Sequence, residues 1–84
     1  MVHYLIMCRS LTYAQKTARI IERAGISALI MRAPKAISQE GCAYCVKISQ
    51  RRMPHALEAL RRGNVNYNRI YIVHQNGECA EVAM

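Results

Sequence analysis

From Val2 to Cys8 every residue except His3 is apolar, so an extended segment here shows apolar side chains on both alternating faces. Such a strand belongs at the centre of a sheet, covered on both sides. Whatever fold the chain adopts has to bury it.

The residues that follow supply the other elements. Ser10 is a candidate N-cap. From Leu11 to Ala24, the residues Leu11, Ala14, Ala18 and Ile21 fall on one helical stripe, widened by Tyr13, Ile20 and Ala24. Lys16, Arg19, Glu22 and Arg23 are left for water, and Gly25 sits where a helix end favours positive φ. Ser27–Arg32 reads as a second strand. Ala33–Gly41 is a loop, since Pro34 disrupts a continuing strand. Cys42–Ile48 reads as a third strand, with Tyr44, Val46 and Ile48 on one face and Ala43, Cys45 and Lys47 on the other.

Ser49–Arg52 is a polar turn. Pro54 is expected as the first residue of a second helix, where its missing N–H costs nothing. Met53, Ala56, Leu57 and Leu60 form the buried stripe of that helix. Arg61 and Arg62 lie at its negative end, and Gly63 closes it. Asn64, Asn66 and Asn68 make a turn-like connection to a fourth strand, Arg69–His74. Asn76-Gly77 signals a two-residue hairpin, returning as a short strand over Glu78–Val82.

Strand, helix, strand, strand, helix, strand is the split β-α-β order of an α+β, ferredoxin-like βαββαβ sandwich, here with a C-terminal β-hairpin extension. Residues 1–84 form one domain. Both helices are expected on one face of an antiparallel sheet. The other face, which the first strand also lines with apolar residues, is expected to be open in a monomer. An uncovered apolar patch marks a partner, so a homodimer or a protein partner docking through the sheet is expected.

With 84 residues the core is thin, and without Trp or Phe it must be filled by aliphatic residues, methionines and tyrosines. Twelve Lys and Arg against five Asp and Glu give a net charge of +7, which draws acidic partners or simply keeps the chain soluble. The opening Met-Val-His-Tyr-Leu-Ile-Met-Cys is too short and mixed for a secretory signal, and no run approaches a membrane span. The expectation is a cytoplasmic protein with reduced thiols.

Pro34 to Ile48 is the stretch that can carry chemistry. Cys42 and Cys45 form Cys-x-x-Cys, but the pair leads into a strand rather than a helix. On a strand their Cα atoms stand roughly 10 Å apart, beyond the about 7 Å a disulfide tolerates. A single reactive thiol is the better reading. Cys42 follows the flexible Gly41, and Lys35, Lys47 or loop amides can stabilise its thiolate. Cys45 is a second candidate thiol. Each cysteine also reads as a small buried hydrophobe.

Cys8, Cys42, Cys45 and Cys79, with His3 or His74 as substitutes, would make a four-ligand zinc set. Zinc domains show two close ligand pairs where this chain has one, so no metal or other cofactor is assigned. A nucleic-acid module is the alternative class: the chain is basic, and Arg51, Arg52, Arg61, Arg62 and Arg69 can meet phosphates. It lacks, however, the Phe- and Tyr-rich strand motif on which such modules stack bases, having only Tyr4, Tyr44 and Tyr71 within strands.

Several of these residues together resemble a family. Tyr4-Leu5-Ile6 followed by Ser10, then Ala24, Gly25 and Ile26, then Pro34-Lys35-x-Ile37-Ser38 ahead of Gly41-Cys42 are similar to small bacterial selenium/sulfur carrier protein-like chains. Asn64-Val65-Asn66-Tyr67 and Ile70-Tyr71 extend the likeness, which covers about residues 3–73. The resemblance implies that Cys42 is the carrier thiol and that Pro34, Lys35 and Ser38 shape its loop. Lys35 stands where the pattern more often has arginine, a better bidentate anion partner. Cys45 and the hairpin beyond Val73 map to nothing in the pattern. The expectation is a thiol-bearing carrier or accessory protein without turnover of its own, with Lys35, Ser38, Gly41 and Lys47 as binding residues.

Overall fold

A computed structural model describes residues 2–35, 37, 38, 43–65 and 67–82. The elements are β1 (His3–Cys8), α1 (Leu11–Arg23), β2 (Leu29–Arg32), β3 (Tyr44–Ser49), a 3-10 turn (Gln50–Arg52), α2 (Met53–Arg62), β4 (Ile70–Val73) and β5 (Cys79–Val82). The sheet runs β2-β3-β1-β4-β5, and every neighbouring pair is antiparallel. This is the ferredoxin-like α+β sandwich with β5 added beyond β4. The strand that is apolar on both faces, β1, lies in the middle.

Both helices end through the same device. Ser10 caps α1, its Oγ accepting from the Tyr13 amide at 3.4 Å. At the other end Gly25 takes φ +83°, its N–H reaches the Glu22 carbonyl, and the Ile26 N–H reaches Ile21. That pair of bonds is a Schellman closure, with apolar Ile21 and Ile26 meeting beneath it. In α2 the closure falls one residue later than expected. Gly63 keeps right-handed dihedrals, and Asn64 takes the positive φ of 52°. Asn64 then bonds to Arg61 and Val65 to Leu60. Gly63 serves a different need: a Cβ there would stand 2.8 Å from Ile20 Cδ1 where the two helices touch.

The expected two-residue hairpin is a three-residue one. Among the described residues of the β4–β5 turn, only Gly77 has positive φ (+88°). The Gly77 N–H donates to the His74 carbonyl, and the His74 N–H donates to Glu78, so Gln75, Asn76 and Gly77 form the loop. A two-residue turn of the expected kind needs positive φ at both Asn and Gly; a type I turn closed by a left-handed Gly needs it only at Gly.

The helix-side core gathers Ile6, Cys8, Val46, Ile48 and Ile70 from the sheet, Ala14, Ala18 and Ile21 from α1, and Met53, Ala56 and Leu60 from α2. Tyr44 packs against it from the strand edge, as the alternation of β3 requires.

The middle of the second face is covered from within the chain rather than left open. Leu5, Met7, Cys45 and Tyr71 are all buried there, and Ile37 from the β2–β3 loop joins their cluster, itself only 7 % exposed. The loop thus returns over the sheet and gives β1 its second cover from within the chain. Burying one isoleucine in this way is worth about 1.5–3 kcal/mol, a large return for a core this small. Only at the β2 edge does a large apolar residue of this face stand well clear among the described residues, Leu29.

Candidate functional site

The β2–β3 loop is anchored at both ends. Arg32 pairs with Tyr44 in the sheet, with its guanidinium 5.7 Å from the centre of the Tyr44 ring, within cation–π range. One residue further out, the Ala33 N–H donates to the Ala43 carbonyl at 3.0 Å. Pro34 then starts a single helical turn, its carbonyl accepting from Ile37 N–H (3.1 Å) and Ser38 N–H (2.8 Å). The fixed φ of proline favours this turn. The turn directs Ile37 into the sheet cluster and leaves Lys35 and Ser38 exposed.

Gly41 and Cys42 lie outside the described residues. The expected start of β3 at Cys42 is not met, because the strand begins at Tyr44 and Ala43 is still loop. Lys47 is exposed on β3, four residues beyond Ala43, or about 13 Å along a strand. It lines a broad depression with His3, Ser49 and Arg52 at the opposite end of the sheet. Lys35 and Ser38 are therefore together on the loop, while Lys47 is not with them.

The other cysteines have contrasting surroundings. Cys8 is fully buried on the helix side, its thiol 3.8 Å from Thr17 Oγ1, and Cys45 is fully buried on the loop-covered face. Burial, with a smaller push from nearby Cys8, raises the Cys45 thiol to about 11. It is protonated at neutral pH, and a protonated thiol is a poor nucleophile. Cys79 is half-buried on β5, with its thiol 3.8 Å from the Gly77 carbonyl. Cys45 and Cys79 carry free thiols. Among the described residues no three His, Cys, Asp or Glu side chains converge as a metal set would, and Cys8 and Cys45 sit in separate clusters on opposite faces.

Two features escape sequence reading. The first is Ile37 as the anchor of the loop. A lone apolar residue in a polar segment has no periodicity to reveal it. The second is a cavity of about 260 Å³ lined by Arg9, Tyr13, Tyr67 and Asn68, which come from two separate stretches of chain. Tyr71, by contrast, is buried in the second cluster, so it offers no platform for stacking a base.

No helix among the described residues is long and apolar enough to cross a membrane. No curated protein and no solved structure matches the chain closely enough to count as a relative. A family described as Putative Se/S carrier protein-like matches residues 3–72, from the first residue of β1 into β4 and short of the hairpin extension. With most of its length inside that match, the chain belongs to the Se/S carrier protein-like family.

Proposed function

We propose that the protein carries sulfur or selenium on the thiol of Cys42 and hands it to a partner. The observation that supports this most is the fate of the other cysteines. The matched residues 3–72 contain Cys8, Cys42 and Cys45. Cys8 and Cys45 are sealed in the two cores, and Cys45 is held protonated as well. Cys79 lies beyond the match. A family trait that depends on a reachable thiol then falls to Cys42.

The chemistry needs no turnover. A Cys42 thiolate attacks the outer sulfur of a donor persulfide. The donor S–S bond breaks, the donor leaves as a thiolate, and the new S–S bond holds the sulfur as a persulfide on Cys42. Delivery runs the same exchange with the acceptor as attacking group. Lys35, exposed on the loop, supplies positive charge that favours the thiolate and the persulfide anion. Ser38 shapes the turn beside it. Lys47 lies further along β3, paired with Leu5, and is given no role here. We place the partner contact at the loop end of the sheet, where the carrier thiol would meet its donor and acceptor.

The test is mass spectrometry of intact protein after exposure to a small-molecule persulfide. The expected result is a gain of one sulfur atom, abolished by Cys42→Ser and retained by Cys79→Ser. Equal loading of Cys42→Ser and unaltered protein would refute the assignment.

A further inference from the structure

The Arg9 cavity is assembled from distant segments and held by backbone bonds. Arg9 directly follows β1, and Tyr13 stands in the first turn of α1. Tyr67 and Asn68 lead into β4. The Asn68 N–H donates to the Met7 carbonyl at 3.0 Å, and the Met7 N–H donates to the Arg69 carbonyl at 2.7 Å. These bonds tie the α2–β4 connection to the end of β1 and so fix both sides of the cavity.

The lining is chemically one-sided. Among the described residues it offers a guanidinium, two phenol hydroxyls and a carboxamide, and no carboxylate. The ion pairs of the described residues join Arg62 to Glu58 and Arg69 to Glu81, and neither uses Arg9. A fixed positive charge surrounded by neutral hydrogen-bonding groups selects an anion. The volume of about 260 Å³ is below the usual range of roughly 300–1,000 Å³ for drug-sized ligands. It suits an anion of a few atoms.

Position connects the cavity to the loop. β1 ends at Cys8, opposite Tyr44 of β3, and the Ala33–Ala43 bond lies just beyond that pair. The cavity is therefore at the end of the sheet that carries the β2–β3 loop.

We propose that the cavity binds a small tetrahedral oxyanion of the class of thiosulfate, in which a transferable sulfur or selenium is bonded to a sulfonyl centre. The purpose of this binding rests on the carrier reading; the binding itself does not require the thiol. With thiosulfate the exchange balances without an outside oxidant. The Cys42 thiolate takes the outer sulfur, the S–S bond to the sulfonyl group breaks, and sulfite leaves with the bonding pair. Arg9 holds the oxygens of the anion, the part that is released.

The experiment titrates the Cys42→Ser protein with thiosulfate, thiophosphate and sulfate, followed by amide NMR shifts, with sodium chloride at matched ionic strength as reference. Saturable shifts are expected around Arg9, Tyr13, Tyr67 and Asn68. Arg9→Ala should weaken binding about tenfold, as loss of one charge-assisted contact does. Arg9→Lys should restore part of it, and Arg52→Ala at the other end of the sheet should change nothing. Thiophosphate matches thiosulfate in shape but cannot give a persulfide by this exchange, so it reports binding alone. Equal weakening by Arg9→Ala and Arg52→Ala, or shifts that follow ionic strength alone, would overturn the proposal, since net charge would then explain the attraction. Arg9-dependent binding in a protein that never loads Cys42 would remove the carrier reading and leave the cavity. Loading of Cys42 without Arg9-dependent binding would do the reverse.

Discussion

Replacing Ile37 by alanine tests whether the β2–β3 loop is part of the fold or merely rests on it. Ile37 is 7 % exposed against Leu5, Met7, Cys45 and Tyr71. The substitution removes three carbon groups, each worth about 0.8 kcal/mol when buried, or about 2.4 kcal/mol together. A cavity term adds little, because a surface loop can settle into the space. A loss near 2 kcal/mol is therefore expected if the loop folds with the rest. If it opens independently, the same energy appears as a raised population of the open loop. Two measurements separate these cases. Urea unfolding reports global stability, and the reaction of Cys45 with a disulfide reagent reports local opening, in a background with the other three cysteines changed to serine or alanine. Cys45 is fully buried, with its thiol at about 11, so it should react very slowly in the unaltered loop. Ile37→Ala should either lower the unfolding free energy by about 2 kcal/mol or speed Cys45 labelling roughly thirtyfold. If neither moves, Ile37 is not what covers the sheet, and the account of the second core is wrong.

Two further outcomes follow from the same geometry. The Cys45 thiol is raised from 9.0 to about 11, so its contribution to stability is complete below pH 9 and is lost as pH climbs toward 11. The unfolded chain releases that proton first, and stability should fall by about 2–3 kcal/mol across the window; comparing urea midpoints of Cys45→Ala and unaltered protein at pH 8 and 10.5 should show the variant losing less. Gly63→Ala gains about 0.4–1 kcal/mol by restricting the unfolded chain, but places a methyl 2.8 Å from Ile20 Cδ1 and 3.2 Å from Cγ2. A net loss of about 1 kcal/mol is expected, shrinking in an Ile20→Val background, and a stabilised single variant in thermal unfolding would show the helix contact to be loose.

Short-range order was legible residue by residue. Ser10 caps α1 and Gly25 ends it through a positive φ because both tasks depend on a side chain or dihedral within four residues. The alternation in β3 correctly sent Val46 and Ile48 to the helices and Cys45 away from them, because the pleat has a period of two. Helix ends and turns were less certain by one residue: Asn64 rather than Gly63 took the left-handed conformation, and Gly77 alone did so in the hairpin. In each case the neighbouring residue has a similar preference, so local sequence does not separate the two. Ile20 on α1 accounts for Gly63.

The site was legible only in part. The sequence marks Pro34, Lys35 and Ser38 on one loop ahead of Cys42, and the structure brings Lys35 and Ser38 together on it, but no local pattern could place Lys47 in the depression it shares with His3, Ser49 and Arg52. The amino-acid order by itself determined the elements, their sequence along the chain and the need to bury β1 on both faces, because each is encoded in spacing between near neighbours. Only the tertiary structure decided that the second cover comes from Ile37 within the same chain, that this seals Cys45, and that Arg9, Tyr13, Tyr67 and Asn68 share a cavity. Those contacts join segments distant in sequence, and hydrophobic periodicity carries no record of which distant segment will meet a given face.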